Sequence, residues 1–257
     1  MPTGRPHRRT LLTRIALLAC LLAVNFALAY SSGCARTESA MLGKLPGPIF
    51  REPPTDWPAT APDVERATLD VEAAWRSHSQ PDRAWTWIVV HHSGGAGGDA
   101  VKFDQFHRDT RGWDELGYHF VIGNGTDSGD GQVQVGSRWL KQKHGAHCAT
   151  PSGQFNQHGV GICLVGNFQL DGNRPSPRQW ASLVALCSFL CREYDIPVEH
   201  ILGHRDGQAV EGAMTTECPG RNVDLAKLRV QVRWAMSHHW PTRWPPSSAP
   251  ETIAIAP

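Results

Sequence analysis

The spacing of hydrophobic residues changes along the chain and predicts alternating strands and helices. Trp85–His92 is rich in β-branched and aromatic residues, is too short for a helix and is followed by Ser-Gly-Gly, so it predicts a buried strand. Val160–Val165 is a continuous apolar run and predicts a central strand. Ser176–Tyr194 instead repeats apolar residues at i, i+3 and i+4 and has Pro177 in its first turn, which indicates a helix.

Weaker patterns predict further elements before, between and after these three. Further helices are predicted at Asp63–Ser77, Ala100–Thr110 and Val223–Met236, and further strands at Tyr118–Ile122, Gln132–Val135 and His200–Leu202. Asn124–Gly131 is too rich in glycine to be anything but a loop. Strands that alternate with helices predict one α/β domain, in which helices flank a central mixed β-sheet.

The two ends of the chain differ in composition from the middle. Residues 1–29 contain four arginines, no acidic residue and a 15-residue apolar stretch, which is shorter than a membrane span and typical of a secretory signal peptide. Residues 30–61 are rich in Pro, Gly and Ser and predict a tether, and residues 240–257 predict a disordered, Pro-rich tail. The folded domain is therefore expected at residues 62–239.

Two processing signals lie at and just after the end of the apolar stretch. The sequence Ala27-Leu28-Ala29 fits a cleavage site that would release a soluble product, whereas Gly33-Cys34 resembles the end of a bacterial lipobox and would place a lipid on Cys34. The sequence leaves both alternatives open. Either one predicts export to the periplasm or the cell envelope, with membrane attachment only through a lipidated Cys34.

The charge of the chain bears on its partners. The 257 residues include 25 Lys and Arg against 24 Asp and Glu, and the signal peptide accounts for four of the arginines. Phosphate contacts dominate affinity for nucleic acids, so a near-neutral body without a basic run argues against a nucleic-acid partner. The 13 His and 7 Cys are abundant potential metal ligands, and their positions decide whether they form a site.

Residues of metal-binding type fall at the ends of predicted elements. His91 and His92 end the first strand, His204 follows the short strand, and Cys218 lies in the loop before the last helix. Strand ends and loops at one edge of a sheet are where α/β folds assemble their sites. Strand alternation sends His91 and His92 to opposite faces, so only one of them can join that site. Two imidazoles and one thiolate would leave the fourth position of a zinc ion for water, which is typical of catalytic zinc.

Six ordered stretches resemble those of one protein family. They are Val89–Ser93, Gly112–Phe120, Gly145–His147, Val160–Phe168, Gly203–Asp206 and Thr216–Gly220. The chain is similar in these stretches to the zinc-dependent N-acetylmuramoyl-L-alanine amidases of the phage-lysozyme type and to the related peptidoglycan recognition proteins. The resemblance implies that His91, His204 and Cys218 bind Zn²⁺, and it selects His91 over His92.

The resemblance also implies a reaction and roles for further residues. The implied substrate is the amide bond between N-acetylmuramic acid and L-alanine in peptidoglycan or muropeptides. Tyr118 is implied to stand beside the metal and to hydrogen-bond the attacking water or the developing oxyanion, while Thr216 either takes part in catalysis or only shapes the Cys218 loop. His147 is expected either to face the substrate groove or to be a structural loop residue, and His119 is expected to point away from the site.

Two alternatives to a catalytic zinc site remain at this stage. A peptidoglycan-binding module without catalysis is one, although non-catalytic relatives typically replace the cysteine that here is Cys218. A structural zinc site is the other, and it would need a fourth ligand such as His147 or Asp206. Residues Gly207–Met214 are expected to be an insertion near the metal. The oligomeric state is left open.

Overall fold

The computed structural model describes residues 72–76, 83–213, 215–238 and 253–254, all of which belong to the second of two units, residues 52–257. The predicted signal peptide, Cys34 and the predicted tether up to residue 61 lie outside the described residues, so the predicted domain boundaries stay predictions. Of the first predicted helix, residues 72–75 are helical. Within the described ranges, no helix combines the length and the apolar character that crossing a membrane requires.

The strands form one mixed sheet, as the sequence predicts. Its order is β5-β1-β4-β2-β3-β6, in which the last strand has two residues. Strand β1 pairs in parallel with β4 and β5, β2 pairs in parallel with β4, and β2 and β3 are antiparallel. The strands are β1 (Trp87–His92), β2 (Phe120–Ile122), β3 (Val133–Val135), β4 (Gly159–Leu164), β5 (Ile201–Gly203) and β6 (Ile253–Ala254). Strand β6 lies in the segment predicted as a tail and pairs with β3.

Helices cover both faces of the sheet. They are α1 (Ala100–Arg111), α2 (Ser137–Leu140), α3 (Gln154–Gln157), α4 (Pro177–Glu193), α5 (His204–Val210) and α6 (Leu225–Ser237), with a 3-10 turn at Val198–His200. The predictions for α1, α4, α6 and strands β1 to β5 are confirmed, and their bounds differ by no more than two residues. The sequence did not predict α2, α3 or α5, because four to seven residues are too few to show a helical period.

The two faces of β1 have different surroundings. Ile88 and Val90 are fully buried in the main hydrophobic core, which also contains the apolar faces of α4 and α6. Val89 lies on the opposite face in a smaller cluster with Cys148 and Phe155. His91 follows Val89 on that second face. The larger core therefore stabilises one side of the sheet, and the other side is free to carry a site.

Helix α4 begins with a capping box. The Ser176 hydroxyl accepts a hydrogen bond from the Gln179 amide at 3.0 Å, and the Gln179 side chain accepts one from the Ser176 amide at 3.2 Å. The Gln179 side-chain amide also donates to the carbonyl of Val165 at 2.9 Å. The cap therefore fixes the start of α4 to the chain just after β4.

Replacing the capping serine tests this arrangement. We expect Ser176→Ala to lower the free energy of unfolding by about 1 kcal/mol, because the Gln179 amide loses its partner. Urea denaturation monitored by circular dichroism measures the change. Ser237→Ala is a suitable control, since this exposed serine bonds only within the last turn of α6 and should cost less than about 0.5 kcal/mol. Equal costs for the two variants would contradict the assigned cap.

Candidate metal site and its groove

His91 is the central residue of a cluster that also contains His204 and Cys218. It lies near the carboxyl end of β1, only 1% exposed, and its ring centre is 4.7 Å from that of His204 and 5.0 Å from that of His147. Burial lowers the pKa of His91 well below its usual range, which favours the neutral imidazole that binds metals. His92 faces the other side of the sheet, where its Nδ1 accepts a hydrogen bond from the Phe168 amide at 3.1 Å. The prediction that His91 and His92 point to opposite faces of the sheet is confirmed.

His204 is placed by the strand next to β1. It is the first residue of α5 and directly follows β5, which runs parallel to β1. The Asp206 carboxylate accepts a hydrogen bond from the Gly203 amide at 3.0 Å and so caps this helix. The Nε2 atom of His204 is buried and makes no hydrogen bond, and burial lowers the pKa of this imidazole to about 4. A buried ring nitrogen without a partner fits a metal ligand.

Cys218 reaches the cluster from the loop that follows α5. Its Sγ accepts a hydrogen bond from the His92 amide at 3.2 Å and lies 3.6 Å from Nδ1 of His91. The Arg205 amide donates to the Cys218 carbonyl at 2.8 Å, which fixes the loop to the start of α5. Burial raises the pKa of the Cys218 thiol to about 12, so a metal ion must displace its proton to bind the thiolate.

The structure brings together the three residues that the sequence predicts as metal ligands. One ligand atom from each of His91, His204 and Cys218 lies within 4.8 Å of the others. Two imidazoles and a thiolate are a donor set that suits zinc. Among the described residues, His147 and Asp206 are outside this group, since their side chains bond to His91 and to the Gly203 amide. The described part of the chain thus offers three possible metal ligands in one group.

Tyr118 and Thr216 lie near the cluster in different ways. The Tyr118 ring is half-buried, with its centre 5.2 Å from that of His91. Burial and the neighbouring Cys163 and Cys218 thiols raise the pKa of Tyr118 well above its usual range, so its hydroxyl is a hydrogen-bond donor at neutral pH. The Thr216 hydroxyl accepts a hydrogen bond from the Cys218 amide at 3.1 Å, which supports a role in shaping the loop.

The two other histidines that the sequence singles out are both buried. His119 bonds to main chain through both nitrogens, at 2.9 Å from the Gly161 amide and 3.0 Å from the Lys143 carbonyl, and it does not reach the three-residue cluster. His147 also has both nitrogens engaged within the protein, by His91 and by the Gly159 carbonyl. It lines the groove described next, yet it is only 7% exposed. A substrate-binding role for His147 stays a prediction.

A groove of about 910 Å³ opens over the cluster. Helix α1 and the segment after it supply one wall, with Phe106 46% and Trp113 37% exposed. The guanidinium of Arg111 lies over the Phe106 ring, 5.7 Å from its centre. The groove therefore presents aromatic surface and basic groups, and its lining also includes Tyr118 and the metal-site residue His204.

The segment predicted as an insertion forms most of α5 and a turn. Glu211 in that turn accepts hydrogen bonds from the Ser152 amide at 2.8 Å and the Gln154 side chain at 2.9 Å. Gln208 lines the groove, donates to the Ala149 carbonyl at 3.3 Å and accepts from the Thr215 amide at 2.9 Å. Sequence reasoning missed Gln208 and Glu211, because polar residues in a surface segment carry no signal of long-range contacts.

Comparison with known proteins places the chain among related sequences. A family model described as N-acetylmuramoyl-L-alanine amidase matches residues 81–221, which is more than half of the chain. Peptidoglycan-recognition protein SC1a of Drosophila melanogaster is 31% identical over 147 residues, covering 54% of this chain and 69% of that protein. The N-acetylmuramoyl-L-alanine amidase of Mus musculus is 29% identical over 165 residues, which cover 58% of this chain and 27% of that protein.

Solved structures are also similar to this chain. An endolysin N-acetylmuramoyl-L-alanine amidase from Clostridium intestinale has a TM-score of 0.48 and 29% identity, with 59% of this chain and 85% of that chain covered. Drosophila PGRP-LB has a TM-score of 0.42 and 25% identity, with coverage of 59% and 82%.

Removal of the thiolate tests the candidate metal site. We expect the purified protein to retain one zinc ion per chain after dialysis, and we expect Cys218→Ser to lose it, because a neutral hydroxyl replaces a charged ligand. Atomic emission spectroscopy measures the metal content. Cys191→Ser is the matched control, since this buried cysteine belongs to α4 and to the main core. Full zinc occupancy in Cys218→Ser would rule out this cysteine as a ligand.

Proposed function

The chain belongs to the N-acetylmuramoyl-L-alanine amidase family, and from that premise we propose that it hydrolyses the bond between N-acetylmuramic acid and L-alanine with the help of zinc. The substrate is peptidoglycan or a muropeptide. The observation that carries the proposal is the convergence of His91, His204 and Cys218 within 4.8 Å beside a groove. A zinc ion there would supply a nucleophile at neutral pH and Lewis acidity toward the amide carbonyl.

The residues around the cluster have separate tasks in this reaction. Tyr118 has its ring beside that of His91 and keeps its hydroxyl protonated, and this hydroxyl donates a hydrogen bond to the substrate oxygen on which negative charge develops. Thr216 keeps Cys218 in position through the amide of that residue. Aromatic and basic side chains of α1 contact the remainder of the substrate, whose sugar rings and peptide carboxylates match these two kinds of group.

The alternative is a recognition module that binds peptidoglycan without cleaving it. Relatives named peptidoglycan-recognition proteins support this alternative, and they match the chain over 54% of its length. Hydrolysis is favoured because all three metal-site residues and Tyr118 are present and lie together, with His204 and Tyr118 in the lining of the groove. A pure binding module needs no thiolate at this position.

Digestion of peptidoglycan separates the two functions. We expect protein lacking residues 1–34 to release peptides that begin with a free L-alanine amine, and we expect a chelator to stop the release. Mass spectrometry of the soluble products identifies the cleaved bond and the peptides preferred. Stem peptides that remain attached to muramic acid after treatment with zinc-loaded protein would exclude hydrolysis and leave binding.

Loss of one hydroxyl tests the task given to Tyr118. We expect Tyr118→Phe to lower kcat by about 10²–10³-fold, as removal of an oxyanion donor does, because the developing charge loses its donor. Steady-state kinetics on a soluble muropeptide measure this effect. Zinc content should equal that of the unsubstituted protein, because Tyr118 is outside the ligand set. Unchanged kcat would remove Tyr118 from the mechanism.

We also propose that the protein acts outside the cytoplasm. The arginines and the apolar stretch of residues 1–29 support export, and the two processing signals differ in the product that they give. The intact mass of the mature protein distinguishes an unmodified chain that begins near residue 30 from one that begins at a lipidated Cys34. A mature protein that retains residues 1–29 would contradict export.

A further inference from the structure

Two histidines and one carbonyl form a continuous chain of hydrogen bonds beneath the candidate metal site. The Nε2 atom of His91 lies 3.1 Å from Nδ1 of His147, and Nε2 of His147 lies 3.1 Å from the carbonyl oxygen of Gly159. All three groups are buried. The other ring nitrogen of His91, Nδ1, faces the Cys218 sulfur at 3.6 Å. This series of hydrogen bonds therefore connects His91, whose Nδ1 faces Cys218, to the main chain of β4.

The Gly159 carbonyl, at the end of this series, sets the direction of both hydrogen bonds. A carbonyl oxygen only accepts, so Nε2 of His147 carries the hydrogen. With both rings neutral, Nδ1 of His147 is then an acceptor, and Nε2 of His91 must donate to it. The hydrogen of His91 is thereby placed on Nε2, and the lone pair is left on Nδ1, which is the nitrogen next to Cys218.

The His147 ring has little freedom to leave this position. A Cβ atom at Gly161 would come within 2.4 Å of the His147 ring, and one at Gly145 within 2.3 Å, so both glycines leave space that the ring fills. The His147 and Cys148 amides both donate to the side-chain oxygen of Asn156, at 2.8 and 2.9 Å. The acceptor offered to His91 is therefore fixed by packing and by main-chain contacts.

We propose that His147 is a positioning residue that holds His91 in the Nε2–H tautomer with Nδ1 aimed at the metal. The inference rests on the proposed function for the identity of the metal, while the tautomer itself is a property of the metal-free protein. Partners of this kind orient ligating histidines, and their loss typically weakens metal binding about 10–100-fold. His147 thus acts through His91 and does not bind the metal itself.

Three substitutions of His147 distinguish the effect of its hydrogen-bond acceptor, Nδ1, from the effect of the volume of its ring. His147→Phe keeps a ring but removes the acceptor, and His147→Gln reaches toward Gly159 without offering an acceptor to His91. Each should weaken zinc binding about 10–100-fold in a competition titration with a chromophoric chelator. His147→Asn places an amide oxygen close to the position of Nδ1 and should restore most of the affinity. Equal affinity in the Phe variant and the unsubstituted protein would overturn the proposal.

The tautomer can be observed directly without zinc or substrate. Long-range ¹H–¹⁵N NMR spectra of the metal-free protein should show His91 with its hydrogen on Nε2, and His147→Phe should show a second population with the hydrogen on Nδ1. Should the Phe variant fail to fold, Gly161→Ala displaces the same ring from outside it and should give the same two spectral populations. A single Nδ1–H form of His91 in the unsubstituted protein would overturn the proposal.

His119 provides the matched control. It is a fully buried histidine whose ring centre is 5.6 Å from that of His147, and both of its nitrogens bond to main chain. His119→Phe should lower the thermal unfolding temperature yet leave the His91 tautomer unchanged and zinc affinity within a few-fold. If His119→Phe weakens zinc binding as much as His147→Phe does, the role of His147 is only structural. Absence of amidase activity in a protein that passes these tests would reject the proposed function alone.

Discussion

Parallel pairing of β1 with β5 is the constraint on which the candidate site depends. The register pairs Val90 with Gly203, so His91 and His204 each follow a paired residue at the same end of neighbouring strands. Cys218 is far away in sequence, yet it is fixed to both strands' ends, by the His92 amide and by the Arg205 amide. Two main-chain hydrogen bonds next to the two histidines therefore bring the third candidate ligand into place, and a shift of one residue between β1 and β5 would move His91 away from His204.

Alternate side chains of β1 point to opposite faces of the sheet, and only one of these faces carries the candidate site. Ile88 and Val90 pack into the main core, while Val89 and His91 face the side that carries α1 and the groove. The buried surface that stabilises the fold is thus mostly on the side opposite to the site. This arrangement explains how a polar cluster of histidines can be buried in a small domain, because the main chain of β4 and the histidines themselves supply the hydrogen bonds that it needs.

Much of this architecture could be predicted from the sequence, for reasons that individual elements make clear. Strand β4 is buried along its whole length and β1 is buried at its four central residues, and strands that are buried on both faces are rich in apolar residues. Helix α4 has both a long apolar period and a Ser-Pro start. The three metal-site residues came from a family resemblance, since more than a hundred residues separate His91 from the other two and spacing alone carries little information.

Other parts depend on contacts that no local pattern reveals. Helix α5 is only seven residues long, which is too short to show a helical period, and its second half lies in the segment Gly207–Met214 that is expected to be an insertion. The groove contacts of Gln208 and the bonds of Glu211 join segments about 60 residues apart. The tautomer of His91 depends on a carbonyl of β4 and on the absence of a side chain at Gly161, and neither has a signature in the sequence around His91.

The glycine at position 161 implies a compromise between stability and reactivity in the middle of the sheet. Strand β4 lies between β1 and β2, where a β-branched residue would normally contribute most, and glycine inside a strand costs roughly 0.5–1 kcal/mol relative to alanine. In return, the absence of a side chain at this position leaves room for the His147 ring against the sheet surface. Stabilising substitutions chosen by strand propensity alone would therefore select this position first, and they would damage the site while improving the fold.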